Sequence, residues 1–317
     1  MYRIGIDLGG TNIVAGVVNE DYKIISRSST KTNAPRPAEQ IADDMAKVAK
    51  EAVEKAGLTM ADIEYVGIGS PGAVNPKTGC VAFSNNLDFY DVPLGDILKE
   101  RMSVDCFVEN DANAAAYGEY IAGAGKETDN FVAITLGTGV GGGVIIGGKI
   151  YSGSNYAGAE LGHVTINMNG EVCTCGRIGC WEAYASATAL IRQTKQAMLR
   201  YPNSIMWELC DNNPDNVNGI TAFDAMRKSD VAGSIVVDQY LYFVAVGIAN
   251  VLNIFQPEVI CIGGGISHEG DTLIAPIKRL VYGDNYARKL SKKADIKVAQ
   301  LGNDAGIIGA AYLNSQK

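Results

Sequence analysis

The 317-residue chain has only two histidines and two tryptophans, and no long run of lysines and arginines. Its 27 basic residues stand against 35 acidic ones, for a formal charge of −8. Nucleic-acid binding rests on neutralising rows of phosphates, so this balance argues against a nucleic-acid surface. An uninterrupted apolar run of about 18 residues, the length of a membrane span, is also lacking. The N-terminus opens on an apolar, strand-like segment, not on a basic region, an apolar stretch and a cleavage site. We therefore expect a cytoplasmic protein without a membrane anchor. Seven cysteines, an odd number scattered over a long chain, do not make a disulfide framework. Cys80, Cys106, Cys210 and Cys261 read as reduced thiols, and the expected partners are small molecules or another copy of the chain.

What is present is an ordinary soluble composition, 47% hydrophobic with a mean hydropathy of +0.04, and enough length for two cores. The first thirty residues alternate apolar runs with turns, "YRIGIDL", "GGTN", "IVAGVV", "NED", "YKIIS", which predicts a strand meander. "PRPAEQIADDMAKVAKEAVEKAG" places Ile41, Met45, Val48, Ala52 and Val53 at helical spacing, with Pro37 at the start and Gly57 at the stop. "YVGIGS" and "CFVEN" read as short buried strands, the second leading into an alanine-rich helix. The pattern then begins again: Ile4 to Val18 lies over Val132 to Ile146 without a gap, and Gly9 meets Gly137. A chance match of two glycine-rich hairpins is the alternative; two related domains is the better reading. We expect an N-terminal α/β domain over 1–118, a second over 119–304, and a closing helix at about 305–317 that packs back on the first.

Glycine turns between strands present N–H groups to an anion, and threonine adds a hydroxyl. Here there are two, at Gly9-Gly10-Thr11-Asn12 and at Thr138-Gly139, plus Gly264 after a third strand. The first runs into a strand instead of a helix, so it is not a dinucleotide fingerprint, and no P-loop sequence is present. Any one of them alone could be a structural turn; three together suggest a nucleotide cleft. Asp7, just before the first, is placed to hold Mg²⁺ beside ATP phosphates.

"CTCGRIGCWE" supplies Cys173, Cys175 and Cys180, with His163 ten residues upstream. Cys₃His is a closed tetrahedral set that selects Zn²⁺, and with no open position the metal would be structural. A redox switch or unrelated buried thiols are the alternatives. In "VENDANAAAYGEY", Asp111 falls where a strand meets a helix. It can be a helix N-cap, or a base accepting a hydroxyl proton in phosphoryl transfer.

Taken in order, "IGIDLGGTN", "ENDANAAAYGE", "TLGTGVGGG", "GAELGHV" and "CTCGRIGCWE" resemble the ROK family of bacterial sugar kinases and repressors, and within it the ATP-dependent glucokinases. The resemblance runs from Ile4 to about Asp304. It implies an α/β, actin/hexokinase-like (ribonuclease H-like) fold, duplicated into two domains around a central cleft, and the transfer of phosphate from ATP to D-glucose. It implies Asp111 as the catalytic base and Asn110 as a sugar contact. It implies further sugar contacts from Gly72, Asn86, Glu160, His163 and Glu182, and zinc on His163, Cys173, Cys175 and Cys180. Homodimers or homotetramers are common among such relatives. The commonest first turn of the family carries Lys where this chain has Asn12, which leaves Asn12 as a polar contact only. Other hexoses remain open as substrates (N-acetylmannosamine, N-acetylglucosamine, fructose, allose), as does a sugar-sensing regulator without turnover.

Overall fold

Alternation in "YRIGIDL" becomes strand β1 (Tyr2–Leu8), which buries Ile4, Ile6 and Leu8 completely. It turns back as β2 (Asn12–Val18) and continues as β3 (Ile24–Lys31), all antiparallel. Helix α1 (Ala38–Lys55) starts after Pro37 and buries the face predicted from its spacing, Ile41, Met45, Val48, Ala52 and Val53. Strand β4 (Ile63–Ser70) joins β1 in parallel. A small antiparallel sheet of β5 (Ala73–Asn75), β6 (Cys80–Ser84) and β7 (Phe89–Val92) precedes α2 (Leu94–Met102). Strand β8 (Cys106–Asn110) then pairs parallel to β4 and runs straight into α3 (Asp111–Ala122). The sheet order is β3-β2-β1-β4-β8.

The second sheet is built from β9 (Phe131–Leu136), β10 (Val140–Ile146) and β11 (Lys149–Ile150). Helices α4 (Glu182–Ala185), α5 (Ala187–Arg200), α6 (Met206–Leu209), α7 (Thr221–Arg227) and α8 (Val231–Phe255) follow. Strand β12 (Val259–Gly263), α9 (Asp271–Gly283) and β13 (Asp295–Val298) complete it, with β12 and β13 parallel. Its order, β11-β10-β9-β12-β13, repeats that of the first sheet strand for strand, which is what the internal repeat in the sequence predicts.

The protein's structure, a computed structural model, describes residues 1–315. It divides into two units: Met1–Ala133, Gly143–Ala159 and the chain from Ala299 on, and Ile134–Gly142 with Glu160–Val298. The expected boundaries at 118 and 305 therefore differ from this division. Glu119 is the reason on the first side: buried, it accepts the N–H groups of Ala124 (3.0 Å), Gln300 (3.0 Å) and Leu301 (2.6 Å), and so keeps both flanking segments with α3. The closing helix α10 (Ala305–Ala311) packs on β1 and β4 backbone to backbone. A Cβ on Gly5 would lie 1.9 Å from the Ile307 carbonyl oxygen, and one on Gly67 1.7 Å from that of Ala310, so only glycine allows the approach.

By length and composition α8 could cross a membrane, with a mean hydropathy of 1.7, but 61% of its apolar window is buried within the protein. It packs on α5, α7 and α9 as the central helix of the second core.

Candidate functional site

Parallel pairing sets three strand ends abreast in the first unit. Asp7 on β1 is level with Gly69 on β4, which is level with Glu109 on β8. Ligands of α/β sheets gather at such carboxyl ends. The glycine turn after Asp7 is held tightly: Gly9 N–H donates to the Asn12 carbonyl (2.9 Å), Thr32 Oγ1–H to that of Gly9 (2.6 Å), and Thr32 N–H to that of Thr11 (2.9 Å). The Gly9 N–H is thus not offered to an anion, contrary to the expectation of a bare turn; Gly10, Thr11 and Asn12 are exposed. Asn86 sits beside the turn, its Cβ 3.7 Å from where one on Gly10 would be.

Asn12 is also not alone. Opposite it on β3, Lys31 donates from Nζ to Asn12 Oδ1 at 2.9 Å. The cation that the sequence lacks at position 12 is brought to the turn by the neighbouring strand. Lys31 carries no motif, and the signal for it was the register: counting back along the β2–β3 hairpin pairs it with Asn12.

At the end of β8, Asn110 caps α3, accepting from Asn113 N–H (3.1 Å), while its Nδ2 donates to the Gly72 carbonyl (3.0 Å). The capping alternative for Asp111 therefore falls away, because Asn110 fills that position. Asp111 opens the helix, and Ala112 N–H donates to its Oδ1 (2.9 Å). Burial raises its pKa and outweighs the backbone hydrogen bonds that pull it down, as a helix N-terminus does, so the net direction is up. Asp7 is pushed up to about 6 by burial and by the neighbouring charge of Asp111. Two mutually repelling, largely desolvated carboxylates are a set that a divalent cation would relieve. Glu109, to which the sequence assigned nothing, is buried and accepts from Asn110 N–H (2.8 Å) and Asn113 Nδ2 (3.0 Å). It braces the residue before Asp111, and burial raises its pKa.

In the second unit two short antiparallel bridges, Thr165 with Cys180 and Val172 with Ile178, fold the cysteine loop back on itself. The result gathers His163, Cys173, Cys175 and Cys180 with their ligand atoms all within 4.8 Å of one another. Cys175 and Cys180 sulfurs are 3.7 Å apart, and Cys173 Sγ is 3.7 Å from His163 Nδ1. A tetrahedron with metal–sulfur bonds of about 2.3 Å has sulfur–sulfur edges of about 3.8 Å, so the set could hold one metal ion. Burial first, then the neighbouring thiols, pushes Cys180 up to about 12, whereas the Arg177 backbone lowers Cys175. A bound dication would deprotonate all three.

Behind the loop, Trp181 is fully buried and donates from Nε1 to the Phe243 carbonyl of α8 (2.9 Å). Glu160 is exposed at the start of a short 3₁₀ turn over Leu161–His163, where His163 N–H donates to its carbonyl (3.1 Å). Glu182 accepts from Val140 N–H (3.0 Å) and from the Thr174 hydroxyl (3.2 Å). Thr138 is exposed in the second turn, next to Gly139. Gly264, at φ +84, packs against the backbone of Leu136, the last residue of β9 before the second turn. The structure thus assembles Asp7, the first turn, Asn86, Gly72, Asn110 and Asp111 in one unit. It assembles the metal set, Glu160, Glu182 and the second turn in the other.

The sequence model of the ROK family matches residues 3–317. The glucokinase of Streptomyces coelicolor is 41% identical over 319 residues, covering 98% of this chain and 96% of that protein. That of Thermotoga maritima is 38% identical over 315 residues, covering 99% and 97%. Among solved structures, a ROK family glucokinase from Streptomyces griseus in complex with glucose and AMPPNP is 38% identical, with a TM-score of 0.81 and coverage of 100% of both chains. With the motifs, the duplicated sheets and the whole length matched, the chain belongs to the ROK family.

Proposed function

We propose that this protein is a glucokinase, transferring the γ-phosphoryl group of ATP to the 6-hydroxyl of D-glucose to give glucose 6-phosphate and ADP. The observation that carries the reading is the placement of Asp111: a largely desolvated carboxylate, freed from capping by Asn110, at the carboxyl edge of the first sheet beside Asp7. Full-length similarity to three glucokinases, one of them bound to glucose and AMPPNP, supports it.

The 6-hydroxyl oxygen forms the new bond to the γ-phosphorus, the bond to the β–γ bridging oxygen breaks, and the hydroxyl proton passes to Asp111. Burial raises the Asp111 pKa and so makes it a better proton acceptor than a solvated aspartate. Phosphoryl transfer needs little else by way of covalent chemistry, and positioning supplies most of the rate. The groups we propose for contacting sugar hydroxyls are Asn86, Asn110 and the Gly72 backbone in the first unit, and Glu160, His163 and Glu182 in the second. A hexose lacking one of those hydroxyls would leave a polar group unpaired. For the donor's phosphates we propose Gly10, Thr11 and Asn12 in the first unit, where Lys31 adds a positive charge beside Asn12, and Thr138 and Gly139 in the second. Mg²⁺ held near Asp7 would neutralise phosphate charge, and Zn²⁺ on the Cys₃His set would fix the ring of His163 in place. We further propose a cytoplasmic homodimer or homotetramer, to be checked by light scattering on the purified protein.

The test is a coupled ADP-release assay with glucose, N-acetylmannosamine, N-acetylglucosamine, fructose and allose. Glucose is expected to give the highest kcat/KM. Sugar binding without turnover of any hexose overturns the kinase reading, and preference for an N-acetylated sugar reassigns the substrate.

A further inference from the structure

The second glycine turn is fastened mainly by one short stretch that begins just after the last metal ligand. Within the turn, Gly137 N–H donates to the Gly139 carbonyl (3.0 Å). From outside it, Ala187 N–H donates to the Gly137 carbonyl (2.8 Å) and the Thr188 hydroxyl to that of Thr138 (2.8 Å). Glu182 Oε2 takes Val140 N–H at 3.0 Å, and a Cβ on Gly139 would lie 2.3 Å from that oxygen, so the turn and the carboxylate are in direct contact. The other oxygen, Oε1, accepts from the Thr174 hydroxyl (3.2 Å) and lies 3.6 Å from Cys173 Sγ. One carboxylate therefore joins the metal loop to the turn whose exposed residue is Thr138.

We infer that the metal loop sets the geometry of the phosphate turn through Glu182, so that losing the metal weakens nucleotide binding even when no sugar is present. The inference rests on reading Thr138 and Gly139 as donor-phosphate contacts. Glu182 acts here as a positioning residue, distinct from any contact it makes to a sugar. Cys173 approaches it in space and Cys180 precedes it by two residues. Helix α4, only four residues long, cannot hold it by itself, since so short a helix is unstable without tertiary support. With the metal gone, the side of Glu182 that meets Thr174 is released. The peptide planes of 137–140 then lose one of the anchors that aim their N–H groups.

The experiment is calorimetric titration of the full-length protein with AMPPNP and Mg²⁺ in the absence of hexose, alongside measurement of bound zinc. Four forms are compared: the native protein and Glu182→Ala, each before and after treatment with a zinc-selective chelator. Glu182→Ala, which removes no metal ligand, should keep its zinc and yet bind AMPPNP about tenfold more weakly. Chelation should weaken the native protein similarly, with zinc restoring it. The variant should lose little more on chelation, because both perturbations break one path. Nucleotide affinity within about twofold of native in zinc-loaded Glu182→Ala overturns the inference, and that arm stands even if chelation unfolds the protein. Failure of the native protein to bind AMPPNP at all removes the donor reading, and the inference with it.

Discussion

Replacing Asp7 with asparagine should make the protein more stable at neutral pH while impairing catalysis. The carboxyl of Asp7 is raised from 3.8 to about 6, first by burial and second by the charge of Asp111. The folded protein therefore holds this proton more tightly than the unfolded chain does. The stability that Asp7 contributes is full below about pH 3.8 and is lost as pH rises through about 6. At 1.36 kcal/mol per pKa unit, the penalty for ionising it in the folded protein reaches about 3 kcal/mol at pH 7.5, an upper bound because the side chain keeps some contact with water. An asparagine side chain has nearly the same shape and no charge to bury. Thermal unfolding of native protein and Asp7→Asn between pH 4.5 and 8, without nucleotide or Mg²⁺, should show the variant ahead by about 2–3 kcal/mol at pH 7.5. That is several degrees for a domain of this size. The gap should close toward pH 4.5, and added Mg²⁺ should stabilise the native protein more than the variant. A constant gap across the pH range, or none at pH 7.5, would refute the reasoning, since either means that Asp7 is not a strained anion in the folded protein.

Asp111→Asn should reduce kcat by several orders of magnitude while glucose still binds, measured by calorimetry; loss of both would mark Asp111 as a scaffold residue. Lys31→Ala should raise the KM for ATP several-fold with little change in that for glucose, and should weaken the salt dependence of ATP binding; Lys31→Arg should restore most of it. Gly247→Ala should destabilise the protein by about 1–3 kcal/mol in urea unfolding, because its Cβ would fall 1.9 Å from the Trp181 indole. The smaller intrinsic gain of alanine over glycine in a helix does not offset that.

Much of the site was legible because its chemistry is local. Three cysteines at a fixed spacing with a histidine just upstream, a carboxylate between a strand and a helix, and glycine turns between apolar runs all declare themselves within short windows. The repeat of Ile4–Val18 in Val132–Ile146 predicted two like sheets, and the strand orders match. What could not be read were bonds made across the fold. Glu109 looks like any strand carboxylate until the parallel register sets it level with Gly69, and until its burial shows that the strand-to-helix junction turns Asn113 back onto it. Lys31 becomes relevant only because antiparallel pairing puts it opposite Asn12. Glu119, one of two acids in an alanine-rich helix, gathers N–H groups from residues 181 and 182 positions away. The helix at 38–55 was predictable for the opposite reason: its signal is the period of its own apolar face.

The two sheets, alike in strand order, fasten their glycine turns differently. In the first sheet the outer strand β3 runs for eight residues, long enough for the chain to reach Thr32, whose side chain and N–H fasten the first glycine turn. The strand in the same place in the second sheet, β11, has two residues. A strand that short ends before any residue equivalent to Thr32 can be presented, so the second turn needs its fasteners from elsewhere. The stretch from Glu182 to Thr188 supplies them, and so short a stretch leaving a loop keeps a fixed position only if the loop itself is fixed. Three thiolates and an imidazole on one metal would do that at a point two residues before Glu182. On this view lengthening β11, with a threonine placed as Thr32 is, should make nucleotide binding less sensitive to chelation, whereas sensitivity unchanged by a correctly folded extension would separate the short strand from the need for the metal loop.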